Sequence, residues 1–152
     1  MDRRAPLEGK VVIVTGAAGA IGRAISAFLA ADGARVVTAD LNDSAVEAVA
    51  ESIRADGHDA WATTVDVTRD DGPESLVRAA VARYGRLDAI VANAGILSIS
   101  PILEMPVAEW DRIFAVNTRG VFLCFQAAAR QLVAQGTGDR KSTRLNSSHT
   151  DI

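Results

Sequence analysis

Val11-Val12-Ile13-Val14-Thr15-Gly16-Ala17-Ala18-Gly19-Ala20-Ile21-Gly22 is the stretch that decides the fold of this chain. Its first four residues are β-branched without a polar interruption, the pattern of a strand covered on both faces of a sheet. Glycines then crowd a turn, and from Ala20 the apolar residues Ile21, Ala24, Ile25, Phe28 and Leu29 fall on one helical stripe. A strand that turns through glycines into a helix suits a phosphate. The glycines let the backbone come close, and the helix start offers unpaired N–H groups with partial positive charge. By itself the turn is equally compatible with a plain tight connection.

The same alternation continues on the C-terminal side. Gly33 closes the first helix, and a second strand runs from Ala34 to Asp40. A second helix from Ser44 to Ala55 can be capped by Asn42 or Asp43 and is closed by Gly57. Ala60 to Asp66 reads as a third strand, and Asp70-Asp71-Gly72-Pro73 opens a third helix that stops at Gly85. Leu87 to Asn93 is a fourth strand, and a long helical stretch follows from Val107 to Gln135. Strand and helix in strict alternation, with right-handed crossovers, imply a parallel sheet with helices on both faces.

Asp40 supports a functional reading of the glycine turn. It ends the second strand 18 residues after Gly22, where an acid can bind both hydroxyls of an adenosine ribose. A carboxylate there repels a 2′-phosphate, and neither the turn nor Leu41 and Asn42 adds a basic residue, so NAD is expected rather than NADP. A helix-capping or loop aspartate is the other reading of Asp40.

Composition narrows the partners. A net charge of −3 without a Lys/Arg block offers little to nucleic acid or an anionic membrane. No apolar run approaches the roughly 20 residues of a membrane span, and Met1 to Pro6 lacks the apolar core of a signal peptide. The single cysteine, Cys124, cannot form an internal disulfide, which fits a cytoplasmic protein. With only His58 and His149 beside it, no metal site is expected. Cys124 reads as a small buried hydrophobe, His58 as solvated, and Trp61, Trp110, Phe114, Phe122 and Phe125 as core or interface packing.

Taken together these residues resemble the short-chain dehydrogenase/reductase family over nearly all of residues 7–138. Thr15 to Gly22 is similar to the family's glycine loop, with Ala20 where the main branch has glycine. The spacing of Gly16, Gly19 and Gly22 also suits the extended branch of epimerases and dehydratases. Asp66-Val67 resembles the family's adenine contact, Asn93-Ala94-Gly95 the segment that ends strand four, and Asn117 in Val116-Asn117-Thr118-Arg119-Gly120 the active-site asparagine. The last two favour the main branch.

The resemblance implies a Rossmann-type doubly wound α/β fold with strand order 3-2-1-4. Thr15, Gly16, Gly19, Ala20, Ile21, Gly22, Asp40, Leu41, Asp66, Val67, Asn93, Ala94 and Gly95 are the implied cofactor residues, with Asn93 supporting the sheet. Asn117 is the implied catalytic residue, where a helix distortion frees a carbonyl to hold a relay water. Ser98 and Ser100 can line the substrate entrance. The implied substrate is a secondary alcohol or ketone, and the implied assembly a homodimer or homotetramer.

The family's reaction also needs a serine and a Tyr-x-x-x-Lys pair. Here the sole tyrosine, Tyr84, has Asp88 four positions on, and the lysines are Lys10 and Lys141. Residues 1–138 therefore read as an incomplete dehydrogenase domain, inactive alone, with strand four left as an edge that exposes Ile90 and Val91. A non-catalytic dinucleotide-binding module is the alternative from another class. Residues 139–152 stand apart: Asp-Arg-Lys-Ser-Thr-Arg-Leu-Asn-Ser-Ser-His, Asp139 to His149, resembles the in-frame translation of a common sequencing adapter and is set aside as a non-native tail.

Overall fold

The computed structural model describes residues 5–136; the reading of 139–152, and Lys141 with it, lies outside them. Four strands form one parallel sheet in the order β3-β2-β1-β4: β1 (Val11–Thr15), β2 (Arg35–Asp40), β3 (Ala60–Thr64) and β4 (Ala89–Ala92). Between them run α1 (Ala20–Ala31), α2 (Asp43–Ala55) and α3 (Gly72–Tyr84). The strand order and the helix alternation are those expected from the sequence.

Period-two alternation along β1 divides the core into two layers. Val11 and Ile13 point into a cluster with Val37, Leu76, Val77, Leu87 and Cys124, under α3 and the last helix. Val12 and Val14 point the other way, to Val36, Val46, Val49 and Ile53, under α1 and α2. A strand that must be apolar on both faces cannot alternate with polar residues, which is why β1 reads as an unbroken apolar run.

One expectation changes. On α1 the buried positions are Gly22, Ser26 and Ala30, whereas Ile21 and Phe28 of the expected stripe are exposed. A Cβ on Gly22 would lie 2.2 Å from the Gly16 carbonyl oxygen, so the helix sits too close to the turn for large side chains. The Ser26 hydroxyl is satisfied by donating to the Gly22 carbonyl at 2.8 Å. Of the aromatic residues expected in core or interface packing, Trp61 packs against the first cluster, whereas Trp110, Phe114, Phe122 and Phe125 are exposed in the single chain, with Trp110 and Phe114 stacked on each other.

The long helical stretch is one rod with a fault in it: α4 (Val107–Phe114), a π-helical segment (Ala115–Gly120) and α5 (Val121–Gln135). Gln135 pins the far end of α5 to the entry of β4, accepting from Leu87 N–H and donating to Leu87 C=O, both at 2.8 Å.

Beneath the start of the sheet, Asp88 accepts from Val11 N–H at 2.9 Å and from Arg86 and Lys10. Burial alone would raise its pKa, but these donors together outweigh burial and hold it below the ordinary 3.8. A carboxyl depressed in the folded state stabilises above its unfolded pKa and loses that contribution as pH falls through the folded value. The stability gap between wild type and Asp88→Asn should therefore be widest near neutrality and close below about pH 4. Urea midpoints across pH 7 to 3 would show this, and a gap independent of pH would refute it.

Candidate functional site

All four strands point their C-terminal ends at one edge of the sheet, where two adjoining clefts open. One, of about 600 Å³, is lined by Gly16, Ala18 to Gly22, Asp40, Asn42, Ala45, Asn93 and Gly95. The other, of about 160 Å³, is lined by Gly16, Asp40, Leu41, Val65 to Thr68, Ala94 to Ile96 and Val116. Gly16, Asp40 and Gly95 belong to both, so the carboxylate of Asp40 stands at the divide. Of the expected site residues, Thr15 and Asn117 alone are off the cleft walls.

Gly16 is the one turn residue with left-handed backbone, at φ 66°. A Cβ there would lie 2.7 Å from Ala94 Cα, so only glycine fits between β1 and β4. Ala20, by contrast, is the first residue of α1, and no described residue other than glycine has positive φ. Alanine at that departure from the family pattern is therefore unstrained. The α1 N-terminus has Gly19 at its cap and no side-chain cap bond, whereas the Asn42 side chain caps α2 by accepting from Ala45 N–H at 3.1 Å. The first turn of α1 keeps its amides turned to the cleft.

Asp40 is held rigidly. Oδ2 accepts from Ala18 N–H at 3.0 Å and Oδ1 from Asn42 N–H at 3.1 Å, which ties the glycine turn to the end of β2. Asp66 Oδ1 accepts from the Thr68 hydroxyl at 2.6 Å and the Thr68 amide at 2.9 Å. The Thr68 hydroxyl, then its amide, lowers the Asp66 pKa against the opposing effect of burial. The carboxylate stays ionised and oriented beside the smaller cleft.

Thr15 sits beneath the cleft, fully buried. Its hydroxyl donates to Val91 C=O at 3.4 Å and accepts from the amides of Asn93 and Ala94 at 3.1 and 3.2 Å. Asn93 Nδ2 in turn donates to Thr15 C=O and Gly16 C=O. This crossed pair welds β1 to β4 and leaves Ala94-Gly95 as bare backbone on the cleft wall.

Asn117 lies inside the π-helical segment. Its Oδ1 accepts from Ile96 N–H at 2.9 Å and its Nδ2 donates to Ile96 C=O at 2.8 Å, a two-point clamp on the loop after β4. The shift from i−4 to i−5 bonding inserts one residue and leaves one carbonyl of the ladder without its usual amide. Gly120 lets the segment approach the β3–α3 connection, for a Cβ there would lie 2.9 Å from Val67 Cγ2.

Three contributors escaped the sequence reading. Thr68 locks Asp66, and the Asp-x-Thr spacing is a local turn signal that could have found it. Arg119 reaches from the π-helical segment to Thr68 C=O and Asp70, and Glu109 binds Ser98 and Ser100. Nothing local marks either one. Ser98 and Ser100, expected at a substrate entrance, turn their hydroxyls to Glu109 instead.

The short chain dehydrogenase family model matches residues 10–139. The chain belongs to this family. The short-chain dehydrogenase/reductase eriH of Hericium erinaceus is 47% identical over 134 residues, 86% of this chain and 53% of that protein. A short-chain dehydrogenase/reductase from Mycobacterium marinum superposes with a TM-score of 0.85 at 38% identity, covering 89% of this chain and 55% of that one. A NAD+-bound xylitol dehydrogenase superposes with a TM-score of 0.82 at 32% identity, covering 86% and 50%. The chain thus spans about half the length of these proteins.

Proposed function

We propose that this chain is the cofactor-binding part of an NAD-dependent oxidoreductase that moves a hydride between nicotinamide and a secondary alcohol or ketone. The observation that carries the reading is the Asp40 carboxylate, fixed by two amides at the divide between the clefts, beside a glycine turn that admits no Cβ at Gly16 or Gly22. A dinucleotide fits these residues. Its pyrophosphate would lie over Gly16 to Gly22 at the α1 N-terminus, its adenosine ribose on Asp40, and its adenine beside Asp66 and Val67. Ala94-Gly95 would meet the second ribose as bare backbone. When bound, the cofactor accepts or gives the hydride; the chain itself binds, orients and selects.

Asn117 is proposed as the relay residue, its position set by the Ile96 clamp and the helix fault. The proton donor must come from elsewhere in a complete protein. The Tyr84 hydroxyl donates to Asp59 at 2.9 Å and Lys10 pairs with Asp88, both at the opposite end of the sheet from the clefts. A whole protein of this kind would be cytoplasmic and a homodimer or homotetramer. The exposed Trp110, Phe114, Phe122 and Phe125 support such an assembly.

Calorimetric titration tests the reading. The chain should bind NAD at least about tenfold tighter than NADP, a difference of about 1.4 kcal/mol, and should oxidise no secondary alcohol. Absence of NAD binding by the folded chain, or turnover by it, would overturn the proposal.

A further inference from the structure

The segment joining β4 to α4 has no ladder of its own between Gly95 and Ser100, yet its first residues, Gly95 and Ile96, line the smaller cleft. It is extended, and its side chains alternate. Leu97 and Ile99 are 85% and 92% exposed, while Ile96, Ser98 and Ser100 turn inward. Asn117 holds Ile96 from one side. The other anchor is Glu109, in the first turn of α4. Its Oε1 accepts from the Ser98 hydroxyl and its Oε2 from the Ser100 hydroxyl at 3.0 Å, while Ser100 N–H donates to Ser98 Oγ at 3.1 Å.

A glutamate at the third helical position commonly reaches back to cap the helix. Here Pro106 occupies the N-cap and no side-chain cap is made, so both carboxylate oxygens are committed to the loop. Charge-assisted bonds are about twice as strong as neutral ones, and two of them on alternate residues fix an extended segment in register. Without them only the Ile96 clamp would restrain six residues of loop beside the cleft.

We infer that Glu109 is a positioning residue, a latch that holds the Gly95–Ser100 segment so that Gly95 and Ile96 are set as cleft wall for the bound dinucleotide. The inference rests on the reading that the cleft takes NAD. Glu109 touches no cleft atom itself; it acts through Ser98 and Ser100 on Ile96 and Gly95.

Hydrogen exchange, NAD titration and thermal melting on the same variants test it. Glu109→Ala should speed exchange at the Ile96 and Ser100 amides about tenfold and weaken NAD binding about tenfold, with exchange in β1 and α1 unchanged. The Ser98→Ala/Ser100→Ala pair should match it, and all three changes together should be no worse, because they break one unit. Glu109→Gln, which keeps an acceptor for one serine, should recover part of both effects. Exchange that rises equally across the sheet, or NAD affinity unchanged in Glu109→Ala, overturns the latch. If the wild-type chain binds no NAD, the cofactor reading has failed; local exchange at Ile96 and Ser100 then decides the latch, which falls if Glu109→Ala leaves it unchanged.

Discussion

Gly22→Ala is expected to abolish dinucleotide binding and to destabilise the chain by about 3 kcal/mol or more, the range of severe overpacking. The added methyl would lie 2.2 Å from the Gly16 carbonyl oxygen and 2.8 Å from Ala17 Cα. Both neighbours are backbone, so no rotamer change relieves the clash. Relief requires α1 to lift from the turn, which moves its first amides away from the cleft and opens the second core layer at Ala17 and Ala30. Gly19→Ala is the internal control. Its methyl would meet the Gly16 carbonyl oxygen at 3.5 Å, an ordinary contact, and its extended backbone at φ −73° suits any residue. Urea midpoints of the two variants should separate sharply, and NAD titration of Gly22→Ala should show no binding. A Gly22→Ala protein with wild-type midpoint and affinity would show that α1 does not sit where the structure puts it.

The second large effect concerns Asp40. Asp40→Ala should weaken NAD binding about a hundredfold, or about 2.7 kcal/mol, and leave NADP binding little changed. The wild-type preference for NAD would then vanish or reverse. Two losses combine: the acceptors for the ribose hydroxyls, and the bonds from Ala18 and Asn42 that hold the turn in place. Asp40→Asn separates them. It keeps a similar shape and one oxygen acceptor, so the turn is restrained, while the repulsion of a 2′-phosphate disappears. NADP affinity should therefore rise in Asp40→Asn relative to wild type. An unchanged NAD-to-NADP ratio in both variants would mean that Asp40 only caps the local backbone, the bland reading of a loop aspartate.

The glycine turn and most helix boundaries were legible because their causes are local, whereas the strand order came only through the family resemblance. Gly33, Gly57 and Gly85 have positive φ at the ends of α1, α2 and α3, where a side chain would be strained, so each marks a stop in the sequence itself. Strand ends were less legible. The reading extended strand three to Asp66 and strand four from Leu87 to Asn93, whereas β3 ends at Thr64 and β4 spans Ala89–Ala92. Apolar residues continue past the last ladder bond, so composition cannot show where pairing stops. Asn93 illustrates this: its amide turns to the side-chain hydroxyl of Thr15 rather than to a backbone carbonyl of β1.

The sequence by itself determined the βα alternation, since periodicity, caps and glycine sterics act over a few neighbouring positions, and its motifs carried the resemblance that implied the family and the site residues. Only the tertiary structure decided which face of α1 is buried: the close approach at Gly22 centres that face on Gly22, Ser26 and Ala30, leaving Ile25 and Leu29 at its margin and Ile21 and Phe28 outside. It also decided the supports of the site. Thr15 meets Asn93 across 78 residues, Arg119 meets Thr68 across 51, and Gln135 meets Leu87 across 48. Those bonds depend on where packed elements come to rest, and a polar side chain in a sequence carries no mark of a partner that distant.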